Sequence, residues 1–364
     1  MPNITFLEPG TDATGDFSFF ELTTGTVTSD TTVSKTGPRS IKFASGAGST
    51  FSEAYRTGVL ADAGRRVSFW FRIDTLPAAS TIIFYLLQSN GATVHRTNLE
   101  TNGTVKNFPL GPTAVTGTKV LAINTWYRIS VDYIITNTTT FTFKIYIDGV
   151  LDSTVNSGTL TRTATDAIDC YMDSTVGANV NCWFDSVYVD AGTDQSDPGN
   201  VLVTAKKPAA NNTNNFNLAI GANPANRWTN VNEVPLSETN GWEESILADT
   251  QENYTLEAAG VGDVNISSAT ILGRTAWIWA KATTGGLGTP KIMDNGTETA
   301  IVLTSASKLF TVITTSASYP SNAAGIGARS TNNADPMFFY ECGTIIAYYP
   351  GIKTTRVLLT KVGM

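Results

Sequence analysis

The sequence predicts an all-β protein made of two β-sandwich domains, and three observations predict this fold class. Thr accounts for 56 of the 364 residues and Gly for 31, a composition that suits pleated strands joined by tight turns. Apolar and polar side chains alternate along many short segments that are bounded by Gly, Pro, Asn and Asp, which is typical of strands. The length exceeds that of an average single domain and favours two.

The charge content argues against a nucleic-acid partner, and the lengths of the apolar runs argue against a membrane span. Charged residues make up 15% of the chain; residues 1–200 hold 13 Lys/Arg and 19 Asp/Glu, and residues 201–364 hold 11 and 12. Neither half has the stripe of Lys and Arg that neutralises phosphates, so we expect no nucleic-acid partner. No apolar run approaches the roughly 20 residues of a membrane helix, so we expect no membrane span.

The first half contains the strands with the clearest pattern. Alternation is strong over residues 67–73 and 127–133, and residues 81–87 form a continuous apolar run of the kind that a sandwich buries. A further alternating segment, 141–147, runs into Asp148-Gly149. Asp-Gly supplies the positive φ angles of a type I′ turn, so a hairpin is expected there.

Another hairpin is expected around Val176, between the segments 168–172 and 181–189. Such a turn places Cys170 opposite Cys182, either as a disulfide or as two small buried apolar side chains. The N-terminal residues show no basic and apolar signal segment, which indicates synthesis in the cytoplasm and favours reduced thiols.

A polar cluster without periodicity marks the expected domain boundary. It covers residues 190–198 and divides the chain into domains at 1–195 and 200–364. Beyond it, the Asn-rich residues 209–215 indicate a loop, and residues 238–251 are the one segment where a helix of a turn or two is expected. Strands are expected at residues 271–280, 300–303, 309–313, 337–341 and 343–349.

The first half resembles the concanavalin A-like lectin fold, in particular its laminin-G-like members. The resemblance covers residues 1–195 and is carried by three pieces in order. These are the strand opening Trp126-Tyr127-Arg128-Ile129, the hairpin Lys144-Ile145-Tyr146-Ile147-Asp148-Gly149 and a closing strand at 182–189. It implies a jelly roll of two packed sheets.

The second half is similar to a domain found in structural proteins of tailed bacteriophages. The similarity is carried by residues 227–235, by Tyr254-Thr255-Leu256 and by 276–281, with 334–338 before a closing strand pair. Glu252 stands where that pattern has Asp, and the usual Trp after Asp-Pro is absent. The similarity implies an assembly role and carries over no catalytic residue.

Few side chains fit a binding site. Laminin-G-like domains bind Ca²⁺ through acidic rim loops, which makes an acidic set here a weak candidate for calcium ligands, with solvated loop carboxylates as the alternative. We therefore expect no cofactor beyond a weakly supported calcium ion. The calcium candidates are Asp166, Asp169 and Asp173. The candidates for stacking on a sugar or for an interface are Trp70, Trp242 and Tyr349.

The catalytic motifs that the fold could carry are missing from the sequence. His95 is the only histidine and no Gly-x-Ser-x-Gly elbow accompanies it, so a structural role is expected. Glycosidases of the concanavalin A-like fold use a Glu-x-Asp-x-x-Glu strand motif, which is absent. A carboxylate pair assembled from separate strands stays open. We expect no catalytic residue and no enzyme.

These points favour a non-enzymatic bacteriophage virion protein, either a capsid decoration or a tail or fibre component. The expected partners are other virion proteins such as the major capsid or tail protein, further copies in a homo-oligomer such as a trimer, and a host-surface glycan. One alternative is a carbohydrate-binding adhesin not tied to a virion, and another is a glycoside hydrolase or lyase.

Overall fold

The computed structural model confirms an all-β chain. It describes residues 4–8, 20, 22–36, 39–44, 51–56, 58, 60, 65–162, 164–173, 180–190, 201–206, 208–214, 218–220, 241–244, 250–259, 267, 269–282, 290–303, 305, 308–314, 325–330 and 337–349. Within these residues the regular elements are 26 β-strands, and every pairing between them is antiparallel. No helix with the length and apolar character needed to cross a membrane occurs in this part of the chain.

The first fifteen strands form one sandwich of two sheets. They are β1 (Ile4–Glu8), β2 (Leu22–Thr24), β3 (Thr26–Asp30), β4 (Ser40–Ala44), β5 (Phe51–Arg56), β6 (Arg65–Ile73), β7 (Thr81–Leu87), β8 (Thr93–Leu99), β9 (Thr104–Pro109), β10 (Val115–Val120), β11 (Tyr127–Ile135), β12 (Phe141–Ile147), β13 (Val150–Val155), β14 (Ala167–Asp173) and β15 (Asn181–Asp190). Sheet A has the order β13-β12-β11-β6-β15-β4-β3, with β1 paired to β15, and sheet B has the order β10-β9-β8-β7-β14-β5-β2.

Alternation along the strands places the core between sheets A and B. In β12, Phe141, Phe143, Ile145 and Ile147 are buried while the residues between them are half-buried. The ring of Phe184 lies 5.0–5.3 Å from three other buried phenylalanine rings, and these contacts continue to sheet B. Aromatic packing of this kind adds to the hydrophobic term that holds the sheets together.

The remaining eleven strands form a second pair of sheets. They are β16 (Leu202–Lys206), β17 (Pro208–Asn214), β18 (Leu218–Ile220), β19 (Gly241–Glu244), β20 (Thr250–Leu256), β21 (Thr270–Ala282), β22 (Lys291–Asp294), β23 (Thr297–Ala300), β24 (Lys308–Thr314), β25 (Ile326–Ser330) and β26 (Met337–Tyr349). Sheet C has the order β18-β19-β26-β21-β24, with β16 paired to β26, and sheet D has the order β17-β20-β25-β22-β23. The expected domain limits stay a prediction, because residues 191–200 lie outside the described part.

The predicted Asp-Gly hairpin is confirmed. β12 pairs with β13, and Asp148 and Gly149 have φ angles of 51° and 82°. Two consecutive positive φ angles are the requirement of the type I′ turn. The Asp148 carboxylate also accepts the backbone N–H of Arg128 at 2.9 Å, which ties the turn to β11.

The predicted hairpin around Val176 is wrong. β14 belongs to sheet B and β15 to sheet A, so the chain crosses from one sheet to the other instead of turning back on itself. Cys170 and Cys182 therefore lie in opposite sheets, and both are buried and form no disulfide. The structure therefore supports the second alternative for this pair, two small buried apolar side chains.

Four expectations in the second half also need correction. Of the strand expected at 300–303, only Ala300 lies in a strand, as the last residue of β23. The segment expected to be helical contains β19 and the start of β20, because sheet pairing outweighs local helix preference there. The segment expected to be an Asn-rich loop lies largely in β17, paired with β20. The strands expected at 337–341 and 343–349 are one continuous strand, β26.

Hydrogen bonds join the first sandwich to the segment that starts the second half. The indole N–H of Trp70 donates to the Val201 carbonyl at 3.3 Å, and the Val203 N–H donates to the Ser186 hydroxyl at 3.1 Å. β1 also contacts β21 and β26 of sheet C. Sheet A thus faces the second half of the chain on the side away from sheet B.

Candidate functional site

The candidate site lies on the face of sheet B that points away from the sandwich core. In β5 and β14 the core side is taken by Ala54, Cys170 and Met172, all buried in the apolar cluster. Because side chains alternate across a strand, Glu53 and Asp169 project from the opposite face. The same alternation that builds the core therefore places two carboxyl groups on the outer surface.

Strand register brings tyrosines to the same place. Asp169 is paired across the sheet with Tyr55 of β5 on one side and with Tyr85 of β7 on the other. Tyr171, two residues further along β14, is paired with Glu53. Directly paired residues share a face, so this surface combines two acids with three phenol rings.

A cleft of about 550 Å³ opens on this face. Its floor is the outer surface of β5, β14 and β7, and one wall is the turn between β7 and β8, where Asn90 accepts the backbone N–H of Ala92 at 3.0 Å. The volume falls within the range of sites that hold small organic ligands. The lining residues are Glu53, Tyr55, Tyr85, Leu87, Ser89, Asn90, Gly91, Thr93, Asp169 and Tyr171.

Asp169 is the most buried acid of the cleft. The residue is only 3% exposed, and its Oδ1 atom has no hydrogen-bond partner among the described residues. Burial raises the pKa of Asp169 well above its ordinary range, and the negative charge of Glu53 and a hydrogen bond with that side chain raise it further. Asp169 therefore keeps its proton to a higher pH than an exposed aspartate does.

The tyrosines form a ring cluster at the cleft. The rings of Tyr85 and Tyr171 meet edge to face with centroids 5.0 Å apart, and Phe51 stacks on the other side of Tyr171 at 5.5 Å. These contacts hold the rings in fixed orientations. A rigid aromatic surface beside polar groups is suited to the apolar faces and hydroxyls of a sugar.

The geometry of the carboxyl pair limits its chemistry. Glu53 and Asp169 lie diagonally across the β5–β14 pair, and the hydrogen bond between them is one cause of the raised pKa of Asp169. Glu53 and Asp169 therefore fit a single acid–base unit. A carboxyl group with a raised pKa stays protonated nearer to neutral pH and can donate that proton to a bound ligand.

The three calcium candidates do not share one environment. Asp166 precedes β14, and its carboxylate accepts the N–H of Gly58 at 3.3 Å, whereas Asp169 lies in the cleft. Asp173 is in β14, but its side chain is outside the described residues. Among the side chains that the structure describes, no group of three His, Cys, Asp or Glu is placed to hold a metal ion.

Of the three aromatic candidates, only Trp70 can be placed. It is 5% exposed, and the Lys35 ammonium lies 4.0 Å from its ring centroid, so it is packed at the junction with the second half and not open to a sugar. Trp242 lies in β19 and Tyr349 in β26, and their side chains are outside the described residues.

His95 lies in the core, as expected from its surroundings in the sequence. Its Nε2 atom is 2.9 Å from the Asn107 Oδ1 atom, and its ring stacks on Phe143 with centroids 5.0 Å apart. Burial, with a smaller contribution from the charge of Arg96, lowers the pKa of His95 to about 4. The ring is neutral and faces away from the cleft.

The sequence does not show that Glu53 and Asp169 are neighbours. It offers Asp169 as a calcium candidate and leaves open a carboxylate pair from separate strands, without indicating Glu53. The available signal was weak: each acid occupies a polar position of an alternating segment, with aromatic residues two positions away. Only the pairing of β5 with β14 makes them neighbours.

No model of a known protein family matches the chain, and no curated protein sequence matches it. Among solved structures it is similar to the endo-β-1,4-glucuronan lyase of the fungus Trichoderma reesei, with 16% identity over 54% of this chain and 99% of that one and a TM-score of 0.44. It is also similar to a carbohydrate esterase of the Shiga toxin-encoding bacteriophage phi24B, with 13% identity over 53% of this chain and 100% of that one and a TM-score of 0.42. A third is the receptor-binding domain of botulinum neurotoxin type G, with 12% identity over 53% and 44% of the two chains and a TM-score of 0.35.

The prediction that this protein is not an enzyme is corrected by these findings. The structures to which the chain is similar include a lyase and an esterase that act on carbohydrates. The prediction relied on the absence of a short glycosidase motif, and the pair formed by Glu53 and Asp169 arises from separate strands instead.

Proposed function

We propose that the protein is a carbohydrate-active protein, and that the cleft of sheet B binds a glycan on which the Glu53–Asp169 pair carries out proton transfer. The observation that carries the proposal is the Asp169 carboxyl group. It is nearly inaccessible, its pKa is raised, and it lines a cleft together with three tyrosines. Buried acids with a raised pKa in a ligand-sized cleft are characteristic of acid–base sites.

The binding part of the proposal rests on the cleft lining. The Tyr85 and Tyr171 rings supply flat apolar surface, and Ser89, Asn90 and Thr93 supply polar groups along the wall. A glycan presents both kinds of surface, because each sugar ring has apolar faces and a rim of hydroxyls. The combination provides affinity through ring contact and orientation through hydrogen bonds.

The chemical part of the proposal follows from the raised pKa of Asp169. Protonated Asp169 donates its proton to the oxygen that leaves when a bond of the glycan is broken, and the negative charge of Glu53 helps to keep the proton on Asp169 until then. The carbon that loses this oxygen gains the hydroxyl of a water molecule in hydrolysis, or forms a double bond to a neighbouring carbon in elimination, and either route releases one proton. When the proton has left, the pair carries two negative charges in contact. That state has a high affinity for a proton, so the pair recovers one from the ligand or from water.

The test is an assay of the purified chain on a panel of neutral and acidic polysaccharides. New reducing ends measure cleavage, and ultraviolet absorbance of an unsaturated product separates elimination from hydrolysis. We expect Asp169→Asn and Glu53→Gln to lower the rate by about 100-fold or more while binding persists. Glu298→Gln, whose carboxylate is in sheet D and binds Lys291 at 2.8 Å, is the matched control. Full activity in both cleft variants, or no binding of any glycan, would overturn the proposal.

The proposal extends to the location of the protein. We propose a place on a bacteriophage particle, where the cleft meets a host-surface glycan and the second half contacts other virion proteins or further copies of this chain. Support comes from the hydroxyl-rich composition and the phage-like pattern of the second half. Mass spectrometry of purified particles from cells that carry the gene tests this, and particles that lack the polypeptide would contradict it.

A further inference from the structure

Beside the cleft, the outer face of sheet B carries two cations on one aromatic ring. The guanidinium carbon of Arg96 lies 4.1 Å from the centroid of Phe108, and the Lys106 ammonium lies 5.8 Å from it. Cation–π contact of this kind holds both groups close to the sheet surface. Positive charge is thereby concentrated on β8 and β9.

The charge of Arg96 is not neutralised by a neighbouring acid. Arg96 forms no ion pair within the described part of the chain, and its buried Nε atom has no hydrogen-bond partner there. Lys106 has Glu100 near it, but the closest nitrogen–oxygen distance is 3.9 Å. A guanidinium group that is held on an aromatic ring and has no carboxylate partner can bind an anion through its N–H donors.

Sheet register places this cation in line with the carboxyl pair. Arg96 is paired across the sheet with Tyr85, and Tyr85 is paired with Asp169. Two strand spacings, about 10 Å, separate the backbone positions of Arg96 and Asp169. The Arg96 guanidinium itself lies on Phe108, on the next strand further from Asp169. Tyr85, which lines the cleft, lies between them, so one ligand can extend over all three residues.

We infer that the glycan is acidic and that an anionic group of the sugar chain, a carboxylate or a sulfate, binds the Arg96 guanidinium. This inference rests on the proposed function and specifies its substrate class. The protein is acidic overall, with a net charge of −7, and the Glu53–Asp169 pair adds local negative potential. A fixed cation two strands away compensates the repulsion that an acidic sugar would otherwise meet.

The experiment uses two matched ligands. A uronic acid polysaccharide is compared with the same polymer after chemical reduction of its carboxylates to alcohols, and binding is measured by calorimetry. We expect the native chain to bind the acidic polymer more tightly, with an advantage that shrinks as salt is added. Arg96→Gln should weaken binding of the acidic polymer by about 10- to 100-fold and leave binding of the reduced polymer unchanged.

Two further variants separate the inference from the proposed function. Arg96→Lys keeps the charge but loses the fork, so it should recover part of the affinity for the acidic polymer. Asp169→Asn should bind the acidic polymer at least as well as the native chain and fail to cleave it. Equal binding of both polymers, unchanged by Arg96→Gln, would overturn the inference and leave the proposed function intact. Absence of binding to both would overturn the proposed function itself.

Discussion

Asp185 and Thr36 are joined by two hydrogen bonds across 149 residues of sequence. The Thr36 backbone N–H donates to Oδ2 of Asp185 at 3.0 Å, and the Thr36 hydroxyl donates to Oδ1 at 2.7 Å. The Lys35 N–H and the Ser186 hydroxyl also donate to this carboxylate. Asp185 is fully buried, so its acceptors hold the loop before β4 against β15.

Asp185 makes stability depend on pH. Burial raises its pKa to about 6, although the hydrogen bonds from Thr36, Lys35 and Ser186 oppose the rise. In the unfolded chain it titrates near 3.9. The folded state therefore binds the proton more tightly than the unfolded chain does. The linked stability of about 3 kcal/mol is fully present below about pH 3.9, and it is lost as the pH rises through about 6.

Asp185→Asn removes this loss and also places an amide N–H₂ before backbone donors. We expect the variant to be less stable than the native chain at pH 4 by about 1–3 kcal/mol, with the deficit shrinking towards pH 7. Urea unfolding measured between pH 4 and pH 7 follows both effects. A deficit that is constant over this range would contradict the assignment.

His95 acts in the opposite direction over the same range. Its pKa in the folded state is about 4, below the 6.5 of the unfolded chain, so the unfolded state binds more protons between these values. Stability contributed by neutral His95 is present above pH 6.5 and decreases as the pH falls towards 4. His95→Gln keeps a partner for Asn107 and should abolish this acid-induced loss. Urea unfolding at pH 4.5 and 7 checks it, and an unchanged difference between the two pH values would contradict it.

The Asp152 carboxylate leaves no space for a side chain at Gly117. Asp152 of β13 accepts the backbone N–H groups of Thr118 and Lys119 in β10 at 2.9 and 2.8 Å, which links an edge strand of sheet A to an edge strand of sheet B. A Cβ atom at position 117 would collide with this carboxylate.

We expect Gly117→Ala to reduce the free energy of unfolding by about 1–3 kcal/mol, because the carboxylate must leave its two donors. Asp152→Ala should remove the collision, so the effect of Gly117→Ala in that background should be smaller. A double-mutant cycle by denaturant unfolding measures the coupling, expected near 1 kcal/mol. Strict additivity of the two single effects would rule out the contact as the cause.

Asp169→Asn should separate stability from activity. In the unfolded chain Asp169 ionises freely, whereas burial and the charge of Glu53 raise its pKa in the folded chain, which costs stability at neutral pH. An amide does not ionise and avoids this cost, so we expect the free energy of unfolding at pH 7 to rise by about 1–3 kcal/mol. The same variant should lose glycan cleavage. Thermal unfolding and the polysaccharide assay together check this, and a variant that is less stable than the native chain would show that Asp169 serves the fold.

Prediction from the sequence succeeded where the signal is local. Asp148 and Gly149 need no information from elsewhere in the chain to form a turn. Asn295 and Gly296, with φ angles of 50° and 83°, form a similar turn between β22 and β23 that the same rule would have identified. Alternation also marks which positions of β12 are buried.

Prediction failed where the answer depends on which strands pair. Alternation in β14 and β15 is clear, but it does not say that the two strands belong to different sheets. The candidate site has the same origin, since Glu53 and Asp169 become neighbours only through the register of β5 with β14. The position of Arg96 relative to the cleft also depends on strand pairing, because the register of β7 with β8 places Arg96 beside Tyr85.

The two-residue period of β5 and β14 has an evolutionary consequence. Ala54 and Cys170 face the core, while their immediate neighbours Glu53 and Asp169 face the cleft. The constraint on substitution should therefore alternate from one residue to the next along these strands. Inward positions must keep the volume of their side chains, and outward positions must keep the groups that bind the ligand. New ligand preferences could evolve by changing outward residues alone, leaving the packed interior, and with it the folding of the sandwich, as it is.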